Sequence, residues 1–336
     1  MAIRVGINGF GRIGRNFLRA ALGREGIEVV ALNDLVAPAT NAHLLKYDST
    51  QGPLGVAVAV TETGLAVGGR EIAVYAERDP GAVPWGAHGV NVVIESTGLF
   101  TTREKAAAHL AGGARRVIIS APSPDADASF VVGVNDDTFD PERHVVVSNA
   151  SCTTNCFVPM VKVLDDAFTV RGGLMTTVHA YTNDQSLLDL ARKDPRRARA
   201  AAVNIVPSST GAARATSLVL EAMKGRLDGT SLRVPVPVGS ITDFTAVVGA
   251  TSVEAVNEAF RVASERALAG VLVYCDEPIV SSDVVGSPAS CTFDSLMTMV
   301  QPLDAESSLV KVFGWYDNEW GYSNRLVDLA ERVGSR

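Results

Sequence analysis

The chain has 336 residues, of which 47% are hydrophobic and 20% are charged, a composition typical of a globular protein long enough for two domains. The formal net charge of −7 and the sequence pI near 5.3 weigh against nonspecific binding to nucleic acids or to anionic membranes. Four cysteines are too few and too scattered for a disulfide framework, and no apolar run reaches the roughly 18 to 20 residues that span a bilayer, so we expect a cytoplasmic protein.

The first 150 residues alternate short apolar runs with stretches of helical spacing. The chain enters its first apolar run at once, at Ile3–Asn8, so no signal peptide is expected. Helices are predicted over Arg12–Leu22 and Thr102–Leu110. The further predicted strands are Glu28–Asn33, Asn91–Glu95, Arg116–Ser120 and His144–Ser148. Short apolar strands that alternate with helices indicate a doubly wound parallel sheet, the Rossmann type of α/β fold.

The pattern changes near residue 150. A helix is predicted over Thr153–Phe168, and a last helix over Gly321–Val333. The predicted strands between them are Gly173–His179, Thr230–Val236, Thr242–Val248 and Ser308–Tyr316. Longer strands with fewer intervening helices favour a second, α+β domain with a mixed, largely antiparallel sheet.

The first predicted strand ends in a glycine-rich motif. Gly9, Gly11 and Gly14 form a G-x-G-x-x-G that opens the first predicted helix, and Asp34 follows the second strand, twenty residues after Gly14. This order fits a dinucleotide site: the glycines allow a tight turn and close approach of the backbone to a pyrophosphate, and the helix N-terminus attracts the phosphates. Asp34 can accept hydrogen bonds from the ribose hydroxyls, and its charge disfavours the additional phosphate of NADP.

The stretch SNASCTTNC places Cys152 where a strand ends and a helix begins. Three interpretations are open, namely a metal ligand, a buried core residue and a nucleophile. A helix N-terminus lowers a thiol pKa, which favours a nucleophile. Cys156 follows one turn later in a C-x-x-x-C spacing that is typical of neither zinc nor thioredoxin-like sites, so Cys156 is interpreted as a packed thiol and no metal site is predicted.

Among five histidines, His179 ends a predicted strand and leads into the polar loop AYTNDQ. A cysteine and a distant histidine that meet in the fold form the usual pair for activating a nucleophile. His179 is therefore the candidate base, although its position alone also fits a structural histidine.

Several long motifs resemble phosphorylating glyceraldehyde-3-phosphate dehydrogenases. They are INGFGRIGR, LLKYDS, STGLF, SNASCTTNC, TTVHAYTNDQ, NIVPSSTGAA, RVP at 233–235 and WYDNEWGYSNR. The resemblance covers essentially the whole chain in order. It implies an NAD-binding Rossmann domain at 1–150, a catalytic domain at 151–317, and a C-terminal helix at 318–336 that returns to the first domain.

The resemblance also implies roles in glycolytic or gluconeogenic chemistry. Cys152 attacks glyceraldehyde 3-phosphate, His179 is the base, and a thioester is resolved by inorganic phosphate to give 1,3-bisphosphoglycerate. The residues implied for substrate and phosphate binding are Ser151, Thr153, Thr182, Arg197, Thr210, Gly211 and Arg233, and the Cys152 backbone N–H is implied to stabilise the oxyanion. The residues implied for NAD are Gly9, Gly11, Arg12, Ile13, Gly14, Asn33, Asp34, Arg78, Thr97, Ser120 and Asn318, the last of these as the partner of the nicotinamide carboxamide.

The arginine-rich stretch ARKDPRRAR at 191–199 has three interpretations: a solvated surface, a nucleic-acid patch, and the central loop of a homotetramer. The resemblance favours the tetramer, with no nucleic acid and no membrane required.

The sequence departs from the family at several positions. Ala191 stands where many NAD-using members have proline, which suggests some use of NADP. Val236, Val238 and Gly239 replace more polar or bulkier residues after Arg233, and Pro53 stands where a basic residue is common. One alternative interpretation is therefore an isoenzyme that tolerates thiol-directed inhibitors, and this alternative stays open. So do erythrose-4-phosphate dehydrogenase, which usually departs from SSTGAA and AYTNDQ, and a non-catalytic binding protein on the same scaffold.

Overall fold

A computed structural model describes residues 2–335. Within it the chain forms two compact units. The first unit comprises the residues up to Val132, Asp136–Ser151 and the residues from Ser323 onward, and the second comprises Gly133–Asn135 and Cys152–Tyr322. No helix in the described part of the chain is long and apolar enough to cross a membrane.

The first unit is built on a nine-stranded sheet of the described residues. Its strands are β1 Ile3–Asn8, β2 Ile27–Asn33, β3 Val58–Val60, β4 Gly64–Val67, β5 Arg70–Tyr75, β6 Val92–Glu95, β7 Arg116–Ile119, β8 Ala128–Ser129 and β9 Val146–Ser148. Their order in the sheet is β3-β4-β5-β2-β1-β6-β7-β9-β8. All pairs from β5 to β8 are parallel, and the central strands are almost fully buried, as a sheet covered on both faces requires.

The sequence analysis missed the hairpin strands β3 and β4 at one edge of this sheet and the strand β5 beside them. The turn between β4 and β5 consists of Gly68 and Gly69, both with positive φ. A Gly-Gly pair is a recognised signal for a two-residue hairpin turn, so these two strands had a local signature.

The helices of the first unit follow the strands as expected for this fold. They are α1 Arg12–Ala21, α2 Pro38–Lys46, α3 Arg103–Ala106 and α4 Ala108–Ala111. The single helix predicted over Thr102–Leu110 is wrong in detail, because Ala107 separates two short helices. Thr102 caps the first of them by accepting a hydrogen bond from the Lys105 N–H at 3.5 Å.

The second unit contains a mixed sheet. Its elements are helix α5 Cys152–Phe168, strands β10 Gly172–Ala180 and β11 Val206–Ser209, helix α6 Ala212–Ala215, strands β12 Leu227–Val234 and β13 Ser240–Gly249, helix α7 Val253–Glu265, and strands β14 Leu272–Cys275, β15 Cys291–Asp294, β16 Met299–Pro302 and β17 Ser307–Tyr316. The order is β11-β12-β10-β13-β17-β15-β14, with β16 beside β17. Among the described pairs, β10–β12 and β14–β15 are parallel and the rest are antiparallel, which confirms the predicted fold class.

The two faces of this sheet differ in burial along strands β13 and β17. Strands β13 and β17 alternate buried and partly exposed residues along most of their length. Phe157 of α5 meets Phe244 of β13 edge to face, with ring centroids 4.8 Å apart. Helix α5 therefore packs against the sheet and holds its N-terminus in a fixed place.

The last helix, α8, spans Trp320–Gly334. Its residues from Ser323 onward belong to the first unit. There Arg24 pairs with Asp328 at 2.7 Å, and Arg332 pairs with Asp136 at 2.6 Å.

Candidate active site

Cys152 is the first residue of helix α5. Two residues earlier Ala150 adopts a left-handed backbone with φ of +54°, and its N–H is bonded to the Ser148 hydroxyl at 2.9 Å. The first N–H groups of an α-helix have no intrahelical acceptor, and they form the positive end of the helix dipole. The partly exposed Cys152 therefore lies where a developing negative charge is stabilised.

His179 lies near the end of β10 and is 4% exposed. Its Nε2 is 3.4 Å from Cys152 Sγ, and its Nδ1 is 2.6 Å from the carbonyl oxygen of Ala180. The carbonyl can only accept, so we assign the ring hydrogen to Nδ1. The lone pair of Nε2 then faces the thiol, which is the arrangement a general base needs.

Although Cys152 as a residue is partly exposed, desolvation by the surrounding protein is the largest influence on the pKa of both groups. It raises the pKa of the Cys152 thiol, while the positive charge of Arg233 and hydrogen bonds from Thr153 oppose it. Burial, and after it the positive charge of Arg233, lower the pKa of His179 to about 4. The expectation of a lowered thiol pKa is therefore wrong for this site, because desolvation outweighs the helix N-terminus. At neutral pH a thiol faces a neutral imidazole.

Tyr316, at the end of β17, connects the elements that carry the two groups. Its hydroxyl lies 2.9 Å from Thr153 Oγ1 on α5 and 2.7 Å from Thr177 Oγ1 on β10. Its ring meets His179 edge to face, with centroids 5.9 Å apart. Tyr316 is fully buried, and burial raises its pKa well above the ordinary value, so the hydroxyl stays protonated and bridges the two threonines. Tyr316 belongs to the motif WYDNEWGYSNR, but nothing in that motif indicates this bridging role.

A cationic cluster lies beside the pair. Arg233 of β12 is the cross-strand neighbour of His179. Its Nη1 donates to the Ala180 carbonyl at 3.2 Å and to Thr182 Oγ1 at 3.0 Å. The Thr182 hydroxyl in turn donates to Asp184, whose other oxygen accepts from Arg197 Nη1 at 2.8 Å. Arg233 and Arg197, both predicted to bind anions, are thus linked through the Thr182 hydroxyl and the Asp184 carboxylate.

The remaining predicted phosphate residues lie on two loops. Thr210 Oγ1 accepts from the Ala212 N–H at 3.2 Å at the start of α6, and Arg197 Nη2 donates to the Ser209 carbonyl at 3.3 Å. A Cβ on Gly211 would meet no atom within 4 Å, so its backbone is accessible to a ligand. Ser151 directly precedes Cys152 and is partly exposed.

A separate cleft of about 360 Å³ lies in the first unit. Its predicted lining residues are Gly9, Gly11, Asn33, Asp34, Arg78 and Thr97, and the sequence analysis missed Asn8, Leu35, Glu77, Ser96, Leu99 and Phe100. The predicted residues Arg12, Ile13, Gly14 and Ser120 do not line this cleft, and Asn318 belongs to the second unit. The Arg12 guanidinium pairs with Asp48 and donates to Thr50 Oγ1 at 2.5 Å.

Glycine is needed for a different structural reason at each of the three motif positions. Gly9 has a φ of +91°, and a Cβ there would lie 2.7 Å from the Thr97 nitrogen. A Cβ on Gly14 would lie 2.2 Å from the Gly9 carbonyl oxygen, whereas one on Gly11 would point into open space. The first and third glycines therefore permit the packing of turn and helix, and the second leaves room for a ligand.

Asp34 is fixed at the edge of this cleft. Its Oδ2 accepts from the Phe10 N–H at 2.6 Å and its Oδ1 from the Val36 N–H at 2.8 Å. The carboxylate keeps lone pairs for additional donors such as ribose hydroxyls. The cleft, the glycine turn and the α1 N-terminus fit a dinucleotide.

In the second unit, Asn318 is buried with its amide orientation set by two donors. Its Oδ1 accepts from the Gly239 N–H at 3.2 Å and from the Ser240 hydroxyl at 3.1 Å. Gly239 has a φ of +91°, and a Cβ there would lie 2.3 Å from the Ser281 carbonyl oxygen. Glycine at this departure from the family pattern is therefore required by the backbone.

Comparison with known proteins identifies the family. The chain matches the model of the glyceraldehyde 3-phosphate dehydrogenase NAD binding domain over residues 3–103, and that of the C-terminal domain over residues 151–318. It is 58% identical to glyceraldehyde-3-phosphate dehydrogenase 2 of Streptomyces avermitilis and 58% identical to glyceraldehyde-3-phosphate dehydrogenase of Streptomyces coelicolor, over the full length of each chain. It is 54% identical to glyceraldehyde-3-phosphate dehydrogenase 1 of Bacillus subtilis, over all of this chain and 99% of the other. The chain belongs to the glyceraldehyde-3-phosphate dehydrogenase family.

Proposed function

We propose that this chain oxidises and phosphorylates D-glyceraldehyde 3-phosphate to 1,3-bisphosphoglycerate, with NAD as hydride acceptor. The observation that carries the proposal is the 3.4 Å contact between Cys152 Sγ and His179 Nε2 beside the cluster of Arg233, Thr182 and Arg197. A thiol–imidazole pair supports covalent catalysis on an aldehyde, and guanidinium groups with hydroxyls bind phosphate.

The first step forms the S–C bond. As Cys152 Sγ attacks the aldehyde carbon, its proton passes to His179 Nε2, which then returns it to the new alkoxide. The result is a thiohemiacetal, and the Cys152 backbone N–H at the start of α5 stabilises the negative oxygen during attack. The neutral imidazole is in the correct protonation state to begin this step at pH 7.

The second step is oxidation to a thioester. NAD supplies the hydride acceptor when bound in the first unit. His179 Nε2 removes the hydroxyl proton while the C–H electron pair leaves with the hydride. Inorganic phosphate then attacks the thioester carbon, and the S–C bond breaks. Cys152 departs as a thiolate that takes the proton held on His179 Nε2, while the proton of the attacking phosphate is released to solvent.

Two anion sites follow from the residues that surround the pair. We assign the substrate phosphate to Arg233 and Thr182, and the attacking phosphate to Arg197 and the Thr210–Gly211 turn. The Thr210 hydroxyl and the accessible Gly211 backbone support the second assignment. The Asp184 carboxylate lies between the two sites and accepts from both Thr182 and Arg197, so it sets their spacing.

The cofactor assignment favours NAD over NADP. The Asp34 carboxylate is held by two backbone N–H groups. It therefore stays near the ribose site and repels the additional phosphate of NADP. Ala191 motivates a limited use of NADP. We expect NADP to support at least about 1% of the NAD rate, a difference of roughly 2.7 kcal/mol in transition-state stabilisation, and a smaller rate contradicts this part of the proposal.

We further propose that the first unit carries the cofactor, that the second carries the covalent chemistry, and that the chain works as a cytoplasmic homotetramer. Large apolar side chains of the second unit are exposed, including Leu187 at 82%, Leu188 at 79% and Val203 at 76%. Exposed apolar groups of this size are typical of subunit interfaces. Light scattering on the purified protein tests the tetramer, and a monomeric mass contradicts it.

The experiment that tests the activity follows NADH formation with glyceraldehyde 3-phosphate, with and without inorganic phosphate. We expect reduction that requires phosphate, and its loss in Cys152→Ser. Cys275→Ser is the matched control, because Cys275 is a partly exposed thiol whose Sγ donates to the Glu277 carbonyl at 3.6 Å. Reduction that ignores phosphate indicates that water resolves the thioester, and equal activity in Cys152→Ser refutes the covalent mechanism.

A further inference from the structure

A row of buried polar side chains crosses the carboxyl end of the first unit's sheet. Asn8 at the end of β1 is the register partner of Asn33 on β2 and of Glu95 on β6. Asn8 Oδ1 accepts from Asn33 Nδ2 at 2.8 Å, and Asn8 Nδ2 donates to Glu95 Oε2 at 2.6 Å. None of the three is more than 4% exposed. The chemistry described above uses neither Asn8 nor Glu95.

Glu95 is a buried carboxyl group held by four donors. Its Oε2 accepts from Asn8 Nδ2 and lies 2.9 Å from His109 Nε2. Its Oε1 accepts from the Thr97 N–H at 2.8 Å and from the Thr97 hydroxyl at 2.5 Å. Burying a carboxylate is costly unless hydrogen bonds satisfy its lone pairs, so all four donors matter to the position of this group.

His109 is the outermost member of the row, and Trp85 fixes its tautomer. The Trp85 Nε1–H lies 3.2 Å from His109 Nδ1, and an indole nitrogen can only donate. Nδ1 therefore carries the lone pair, so Nε2 carries a hydrogen and donates it to Glu95. The indole occupies space left by two glycines, since a Cβ on Gly6 would lie 2.6 Å from it and one on Gly112 would lie 2.9 Å from it.

The other end of the row is the floor of the cofactor cleft. Asn8, Asn33 and Thr97 all line that cleft. Thr97 packs so closely against the first glycine of the motif that no Cβ fits between them. Through its two bonds to Thr97, Glu95 therefore sets where the β6 loop meets the glycine turn.

We propose that His109 and Glu95 are positioning residues for NAD. They hold Asn8 and Thr97 in the geometry that binds the dinucleotide, through hydrogen bonds alone and without touching it. His109, oriented by Trp85, donates a hydrogen bond to Glu95. Glu95 in turn accepts hydrogen bonds from Asn8 and from Thr97, and so fixes the positions of both residues. The inference rests on NAD as the cofactor and is independent of which aldehyde is oxidised.

The test measures NAD binding by titration calorimetry in the full-length protein. His109→Phe keeps the ring volume and removes the donor, and we expect it to weaken NAD binding about tenfold. His109→Gln restores an N–H donor toward Glu95, and we expect its dissociation constant to return to within threefold of the original. The iodoacetamide reaction of Cys152 should keep its rate in both variants, because the thiol belongs to the second unit.

His144→Phe is the matched control. His144 also belongs to the first unit, packs against Phe130 and Phe139, and accepts the Asp140 N–H at 2.9 Å. A lower melting temperature with unchanged NAD affinity is expected there. The same result in His109→Phe would show that His109 only stabilises the fold, and would overturn the proposal.

If His109→Phe does not fold, Glu95→Gln tests the same positioning role in NAD binding. It removes the charge and turns one acceptor into a donor, and we expect weaker NAD binding than in the unmodified protein. An NAD affinity within twofold of the original in Glu95→Gln, together with a lowered melting temperature, refutes the positioning role. A protein that binds NAD but fails to oxidise the triose phosphate contradicts the proposed function and leaves this inference standing.

Discussion

Removing the charge of Arg233 tests the electrostatics of the proposed catalytic pair, Cys152 and His179. The Arg233 Nη1 atom lies 3.2 Å from His179 Nδ1, and its charge lowers the pKa of both His179 and Cys152. In the Arg233→Gln variant the cation is lost and a shorter, neutral amide remains. We expect both pKa values to rise, because a positive neighbour disfavours imidazolium and favours thiolate.

The geometry bounds the size of the effect. Two unit charges about 4 Å apart interact by about 4 kcal/mol at an effective dielectric constant of about 20. Arg233 is partly exposed, so solvent screens much of this interaction. We therefore expect the His179 pKa to rise from about 4 by about one pH unit, equivalent to about 1.4 kcal/mol, and to stay below its ordinary value because burial remains its largest cause.

The assay is an NMR titration of protein labelled with carbon-13 at histidine Cε1, with His179→Gln used for assignment among the five histidines. The pH dependence of iodoacetamide alkylation reports the Cys152 pKa in parallel. Arg226→Gln is the control, since Arg226 belongs to the same unit and its Nη1 donates to the Val170 carbonyl at 2.9 Å. Neither pKa should move in that control.

The direction of the two changes distinguishes the possible causes. Loss of a charge moves both pKa values upward. Better hydration of the site would instead raise the His179 pKa and lower the Cys152 pKa, because water stabilises imidazolium and thiolate alike. Opposite movements, or an unchanged His179 pKa, refute the Coulombic argument.

Three more predictions concern stability and cofactor binding. Tyr316→Phe removes the hydroxyl that bridges two buried threonines, so urea denaturation should show a loss of about 1–3 kcal/mol; an unchanged midpoint would contradict the bridge. Gly14→Ala should abolish NAD binding and lower the melting temperature, because its Cβ meets a backbone carbonyl at 2.2 Å, whereas Gly11→Ala should weaken NAD binding at an unchanged melting temperature. The pKa of His179 is about 4 in the folded protein and about 6.5 in the unfolded chain, so the unfolded chain binds a proton more readily. The free energy of unfolding should therefore fall as the pH decreases from about 6.5 to about 4. In the His179→Gln variant, the free energy of unfolding from urea denaturation should vary with pH by about 3 kcal/mol less over this range. A pH profile identical to that of the unmodified protein would refute the lowered pKa of His179.

The first half of the fold was predictable because its signals are local. Buried parallel strands appear as continuous apolar runs, and the glycines mark the turn into α1. The boundaries of most predicted elements lie within a few residues of the observed ones. Thr102–Leu110 failed in detail because a break at Ala107, an alanine in an otherwise helical pattern, has no compositional signal.

The candidate nucleophile Cys152 could be selected from its own neighbourhood in the sequence, but its partner could not. SNASCTTNC shows a thiol at a helix start, and that information is local. His179 lies 27 residues later, and only the packing of α5 on the sheet brings its Nε2 to 3.4 Å from Cys152 Sγ. The position of His179 therefore stayed one of several possibilities until the family resemblance was considered.

The sequence alone determined the family, the α/β class and the dinucleotide motif, and it selected Cys152 as the candidate nucleophile, because each of these signals lies in contiguous residues. Only the tertiary structure decided the protonation of the site and its supporting contacts. Burial reversed the expected direction of the Cys152 pKa, and the Tyr316 bridge and the Glu95–His109 pair join residues far apart in the chain. Desolvation and cross-strand hydrogen bonds depend on which segments surround a group, and that neighbourhood exists only after the chain has folded.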